Sequence, residues 1–127
     1  EMLDVHGMRD FVLELAPVTD VAEVLAAQRL VRSVHGSEAL RRYVVSVAAA
    51  TRDHPEVDVG ASPRASLMLF RAAKALAALR GRDHALPDDV QELAPTVIAH
   101  RLILGPGADD ADRARVVGEA VEKLPAL

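Results

Sequence analysis

The stretch Gly60-Ala61-Ser62-Pro63-Arg64-Ala65 restricts the fold more than any other part of this chain. A serine hydroxyl at a helix N-cap accepts from an amide that the helix leaves without a partner. A proline in the next position lacks only an N–H that the helix does not use. Ser62 and Pro63 stand in that order. From there Ala65, Met68, Leu69, Ala72, Ala73, Leu76 and Leu79 recur at spacings of three and four, and Gly81 comes after the last. The pattern predicts one helix from Ser62 to about Arg80 with a broad apolar face. Such a face has to be covered, and the apolar spacings in the rest of the chain offer other helices rather than a sheet.

Asp20 with Glu23 predicts a capped helix start. Val21, Val24, Leu25, Gln28 and Val31 share one face of that helix, with Leu30 and Val34 beside it, and Gly36 is expected to end it. Ser37 predicts the start of a second helix bearing Leu40, Val44, Val47 and Ala48, flanked by Tyr43 and Ala50, until His54-Pro55 stops it. Glu56 to Val59 read as a loop. Pro87, with Asp88 and Asp89 in the first turn, predicts a fourth helix carrying Val90, Leu93, Val97 and Ile98, with a kink or break at Pro95. Leu102, Ile103 and Leu104 fit either helix or extended chain, and Gly105-Pro106-Gly107 is a breaker. Asp109 to Leu124 predict a last amphipathic helix through Val116, Val117, Ala120 and Val121. The expected fold is all-α, a small bundle of four to five helices. Residues 1–18 read as a linker, 19–104 as the helical domain, and 105–127 as a C-terminal helix packing on it. The chain opens Glu1-Met2 and is expected to be a piece of a longer protein.

Several kinds of chemistry are absent. No cysteine is present, which removes disulfides and thiolate metal sites and suits a reducing, cytoplasmic setting. The histidines at 6, 35, 54, 84 and 100 never pair at helical metal spacing, so no metal site is expected. Asp109, Asp110 and Asp112 lack the glycine and distal glutamate of a calcium loop and read as a helix cap. None of the seven glycines is followed by lysine, as a phosphate loop requires. No apolar run is long enough for a membrane span, and no signal peptide is visible. The net charge of −4 argues against nucleic acid.

Arg64 is the residue out of place. A helix N-terminus carries partial positive charge, which favours acids in the first turn. One account is a solvated arginine that tolerates a small penalty. The other is an anion brought from elsewhere, because free helical N–H groups with a guanidinium suit phosphate. Five cations and no acid lie between Gly60 and Arg82, again either a solvated edge or one aimed at phosphates.

A run of motifs joins these observations. Val59-Gly60-Ala61-Ser62-Pro63-Arg64-Ala65, Leu69, Arg71-Ala72-Ala73-Lys74-Ala75-Leu76-Ala77, Gly81-Arg82-Asp83, Pro87-Asp88-Asp89-Val90 and Ala99-His100-Arg101-Leu102 succeed one another. In that order they resemble the C-terminal lid of a MoxR-type AAA+ ATPase. Ala22-Glu23-Val24-Leu25 and Val31-Arg32-Ser33-Val34-His35 are similar to that family's first lid helices. The resemblance spans about residues 9 to 104. Leu86 departs from it, standing where the family has a threonine or serine cap. The resemblance implies that Arg64 is the sensor 2 arginine, which reaches the γ-phosphate of ATP on the core domain. It also implies that Gly60, Ala61, Ser62 and Pro63 border the nucleotide. It implies ATP and Mg in the parent. A lone arginine and a helix terminus offer too few hydrogen bonds for this piece alone to bind ATP tightly. The resemblance implies, as partners, the protein's own AAA+ core, neighbouring subunits of a hexamer, and a von Willebrand A-domain protein. The implied role is chaperone-like. Two readings from the residues alone remain beside it: a helical interaction module with no nucleotide role, and a helix-turn-helix DNA binder using the basic edge, which the acidic net charge disfavours.

Overall fold

The computed structural model describes residues 15–125. The linker expected over 1–18 lies, up to residue 14, outside the described residues. Among the described residues five helices carry the fold: α1 Val21–Ser33, α2 Glu38–Arg52, α3 Pro63–Leu79, α4 Pro87–Ile98 and α5 Asp110–Glu122. A 3₁₀ turn, Ala99–Arg101, extends α4. Two short strands, β1 Val57–Val59 and β2 Ile103–Leu104, pair antiparallel, Val57 with Leu104 and Val59 with Ile103. The loop expected at 56–59 is thus half of a small ribbon, and the undecided stretch at 102–104 is its other half. An isolated three-residue run has no periodicity that would reveal a partner about 45 residues away.

The helix starts follow the expected chemistry. Asp20 accepts from the Glu23 N–H at 2.8 Å, Ser37 from the Leu40 N–H at 3.0 Å, and Asp109 from the Asp112 N–H at 2.9 Å. The capping box at Asp20 is only half made, because the Glu23 carboxylate takes the Thr19 hydroxyl at 2.7 Å instead. The end of α1 differs from expectation. Its cap is Val34, at φ −54° and ψ 128°, and Gly36 does not take a positive φ. A Cβ on Gly36 would collide with the Phe70 ring, so this glycine makes room for a neighbour. Gly81, with φ of 72°, does take the left-handed conformation that ends α3. The Gly81 N–H meets Ala78 O at 2.9 Å and the Arg82 N–H meets Ala77 O at 2.9 Å, closing the last turn.

The core is built around α3. Its fully buried row is Ala65, Leu69, Ala73 and Ala77, spaced by four. Three alanines in that row let α4 approach closely along one ridge. Met68 and Leu79, expected on the core face, lie on the exposed side at 39% and 86% exposure. From α2 come Leu40, Tyr43, Val44, Val47 and Ala48, from α4 Val90, Ala94 and Ile98, and from α5 Val116 and Val117, all in one cluster. Pro95 does not break α4, which runs on to Ile98 before tightening. Buried His54 joins the turn before β1 to α5: its Nδ1 accepts from the Glu56 N–H at 3.3 Å, and its Nε2 faces Glu119 at 3.2 Å. α1 contributes no buried residue, and Val21, Val24, Leu25 and Leu30 of its apolar stripe stay exposed.

The corner between α3 and α4 rests on one carboxylate. Asp89 is fully buried and accepts from both terminal nitrogens of Arg82, at 2.8 and 2.5 Å, from Arg80 at 3.2 Å, and from the Leu86 N–H at 2.8 Å. Leu86 has no side-chain acceptor, so Asp89 supplies the only side-chain half of that cap. Burial pushes the Asp89 carboxyl up. The Arg82 fork, the Leu86 amide and the nearby Arg80 charge outweigh it and hold the group below the usual carboxylate range.

Removing the carboxylate leaves the partly buried Arg82 fork and the Leu86 N–H without their acceptor, while Arg80 keeps Glu92. Asp89→Ala should therefore lose about 1–3 kcal/mol of stability in urea unfolding. Asp89→Asn should flatten the acid limb of a melting-temperature profile. The lowered pKa makes the Asp89 contribution complete above the unfolded carboxylate value of about 3.9 and removes it as pH falls through the folded value.

Candidate functional site

The start of α3 is anchored before the helix begins. Thr51, fully buried in the last turn of α2, donates to Ala48 O at 2.7 Å and accepts from the Ala61 N–H at 3.0 Å. Arg52 beside it donates to Ala61 O at 2.7 Å. Both polar groups of Ala61 are therefore bound to the end of α2, and the residue has no exposure. Gly60 lets this happen. A Cβ there would lie 2.6 Å from Arg52 Cγ, 2.7 Å from its Cα and 2.8 Å from its N. The β1–β2 ribbon ends directly before Gly60 and steers the chain into the anchor.

Ser62 then caps α3. The Ala65 N–H meets Ser62 O at 2.9 Å and the Ser62 hydroxyl at 3.4 Å. Pro63 has no N–H to satisfy, and Ala65 is fully buried. Between these fixed points Ser62, Pro63 and Arg64 are exposed. Among the described residues no carboxylate lies within 4.0 Å of the Arg64 guanidinium. The first turn of α3 holds no acid either. The five candidate residues are thus one continuous piece. Gly60 and Ala61 are locked inward, while Ser62, Pro63 and Arg64 face out.

The other cations of this stretch separate by role. Arg80 and Arg82 are bound to Glu92 and Asp89. Lys74 donates to Arg32 O at 2.7 Å, at the end of α1, and sits 5.9 Å over the Phe70 ring. Arg71 is exposed. Three of the five cations therefore have structural work, which leaves no uniform basic edge for a nucleic-acid backbone. Thr51 and Arg52 read in the sequence only as the end of a helix, and Arg101 only as one residue of a motif. The guanidinium of Arg101 meets Met68 Sδ at 3.1 Å on the exposed side of α3. Among the described residues, no cluster of three or more His, Cys, Asp or Glu could hold a metal. No helix there is long and apolar enough to cross a membrane.

The family model of the AAA lid domain matches residues 49–123, which takes in the anchor, all of α3 and α4, and α5. Chaperone MoxR1 of Mycobacterium tuberculosis is 38% identical over 96 residues, covering 68% of this chain and 26% of that protein. The chain is an AAA lid domain of the MoxR family. Uncharacterized protein YeaC of Bacillus subtilis is 39% identical over 111 residues, 85% of this chain and 35% of its own length. A protein of Cytophaga hutchinsonii, provisionally assigned as an ATPase, has a crystal structure that superposes with a TM-score of 0.73 at 28% identity. That match covers 82% of this chain and 35% of the other. The lid domain thus spans about a third or less of the relatives it matches.

The anchor makes a prediction about Gly60. A methyl group has no space against the Arg52 backbone, so Gly60→Ala should cost about 1–3 kcal/mol. Thr51→Val leaves the Ala61 N–H buried without an acceptor and should cost about 1–3 kcal/mol. Chemical unfolding of the two variants checks both values.

Proposed function

We propose that this lid closes over ATP bound to an AAA+ core elsewhere in the polypeptide, and that Arg64 reads the γ-phosphate as the sensor 2 arginine. The observation that carries the reading is an exposed guanidinium with no described acid partner, set on the first turn of a helix whose start is held by Thr51 and Arg52. A cation there is repelled by the helix's own positive end. An oxyanion from outside the domain removes that repulsion and gains charge-assisted hydrogen bonds from a planar fork. Ser62 and Pro63 present the outward backbone that borders the nucleotide, and Gly60 and Ala61 keep it in place.

The triphosphate differs from the diphosphate by the group Arg64 reaches. Lid and core are then held together in one state and released in the other, which is the differential contact a ligand-driven movement needs. Mg belongs with the nucleotide in the core. The family membership also supports an oligomer, a hexamer in this reading, in the cytoplasm. Its role would be chaperone-like, beside a von Willebrand A-domain partner. The surface available for the core and for neighbouring subunits includes the uncovered stripe of α1. A groove of about 930 Å³ between α1 and α3, lined by Val31, Leu67 and Phe70, adds to it.

In the ATPase that carries this domain, Arg64→Ala should lower steady-state ATP turnover by one to several orders of magnitude. Phosphate-clamping arginines acting in trans contribute roughly 10³–10⁵. Arg64→Lys should recover only part, because a point charge lacks the fork. Arg71→Ala should do much less, standing seven residues and roughly 10 Å along the axis. Melting curves establish that each variant is folded. Parental turnover in Arg64→Ala would replace this reading with a helical interaction module that uses the α1–α3 groove and no nucleotide.

A further inference from the structure

Arg101 is the half-buried arginine whose position the fold leaves unexplained. Arg82, Arg101 and Arg113 are all partly buried, and Arg82 and Arg113 each meet a carboxylate, of Asp89 and Asp110. Arg101 meets a thioether. Its Nη2 lies 3.1 Å from Met68 Sδ, and its Nε is buried with no hydrogen-bond partner. Sulfur in a thioether is a weak acceptor, and a buried N–H of a cation without a partner is costly. The side chain is not there by slack. Ile98 and Leu102, 0% and 3% exposed, fix the chain on both sides of the 3₁₀ turn, and the Leu102 N–H closes that turn on Ala99 O at 3.0 Å.

Met68 tells where this cation has been brought. It stands four residues after Arg64, on the same face of α3 and about 6 Å farther along the axis. The Arg101 guanidinium from the end of α4 thus meets a side chain that stands one turn beyond Arg64 on the same face of α3. Among the described residues no acid within 4.0 Å compensates Arg64 or Arg101. The α4 helix runs antiparallel to α3 from the Asp89 corner, which is what carries residue 101 back to the start of α3.

We propose that Arg101 is a second arginine of the Arg64 site and that it binds the polyphosphate of the nucleoside triphosphate together with Arg64; this rests on the lid reading above. The two forks approach one polyanion from different helices. The nucleotide then bridges α3 and α4 as well as lid and core. Met68 acts as a neutral spacer that holds the Arg101 fork without neutralising it.

The test is calorimetric titration of the ATPase carrying this domain with the slowly hydrolysed analogue adenylyl imidodiphosphate, and separately with adenosine monophosphate. The Arg101→Met variant keeps an unbranched apolar chain against Met68 and removes the buried Nε. It should weaken the triphosphate at least about tenfold and leave the monophosphate within about twofold, with a melting temperature at or above the parent's. Where Arg101→Met melts early, Arg101→Gln takes its place, with the same result expected. An unchanged triphosphate affinity, or an equal loss for both ligands, overturns the assignment. Failure of oligomer assembly with unchanged triphosphate affinity overturns it too, and puts a neighbouring subunit's carboxylate in the place of the phosphate. Arg64→Ala serves as the reference. If it loses triphosphate affinity and Arg101→Met does not, only the second arginine is wrong. If neither loses it, the lid reading falls as well.

Discussion

The backbone of Ala61 is held on both sides by the end of α2, its N–H by Thr51 and its carbonyl by Arg52. Most of what this domain can do depends on that small attachment. It converts the entry into α3 from a loop into a fixed point. It needs a residue without a side chain at position 60, because the Arg52 backbone occupies the space a Cβ would take. Its polar atoms are buried, so breaking it leaves unpaired groups rather than an exchange with water. A helix started this way fixes where the backbone of its first exposed cation, Arg64, emerges.

At the other end of α3 the same logic returns with charge. Gly81 turns the chain, Arg82 comes next, and the fork of Arg82 closes on buried Asp89 in the first turn of α4. The buried row of Ala65, Leu69, Ala73 and Ala77 brings the two helices close between these ends. A helix pair fixed at a corner and zipped along small residues has little freedom to splay. That rigidity is what the proposed reading of the lid asks for, because one phosphate group would have to move a whole body.

The sequence made much of this legible, and for local reasons. Ser62-Pro63, Asp20 and Ser37 are caps whose chemistry acts within four residues, so the helix starts were readable in advance. The features that escaped depend on distant neighbours. Gly36 looked like a helix terminator and instead clears the Phe70 ring. Met68 has the spacing of a core residue, but the buried row of Ala65, Leu69, Ala73 and Ala77 lies one step around the helix. Thr51 and Arg52 carry no signal of their own, since their partner lies about ten residues on, across a ribbon that periodicity does not reveal. The apolar stripe of α1 is legible as a stripe, but not that the described residues leave it exposed. Arg64 was singled out because it contradicts the helix dipole. Arg101 stood only as one letter of a motif, since the missing partner of a buried Nε is invisible without coordinates.

In the proposed reading, the fixed first turn of α3 delivers a guanidinium to the terminal phosphate of ATP. A crystal structure of the full-length protein that carries this domain, with adenylyl imidodiphosphate and Mg bound, tests that claim most directly. The account predicts Arg64 nitrogens within about 2.7–2.9 Å of γ-phosphate oxygens, the range of charge-assisted hydrogen bonds. It also predicts an unbroken Thr51–Ala61 contact beneath them. An Arg64 side chain turned to solvent or paired with a carboxylate, in a lid closed over the nucleotide, would contradict it.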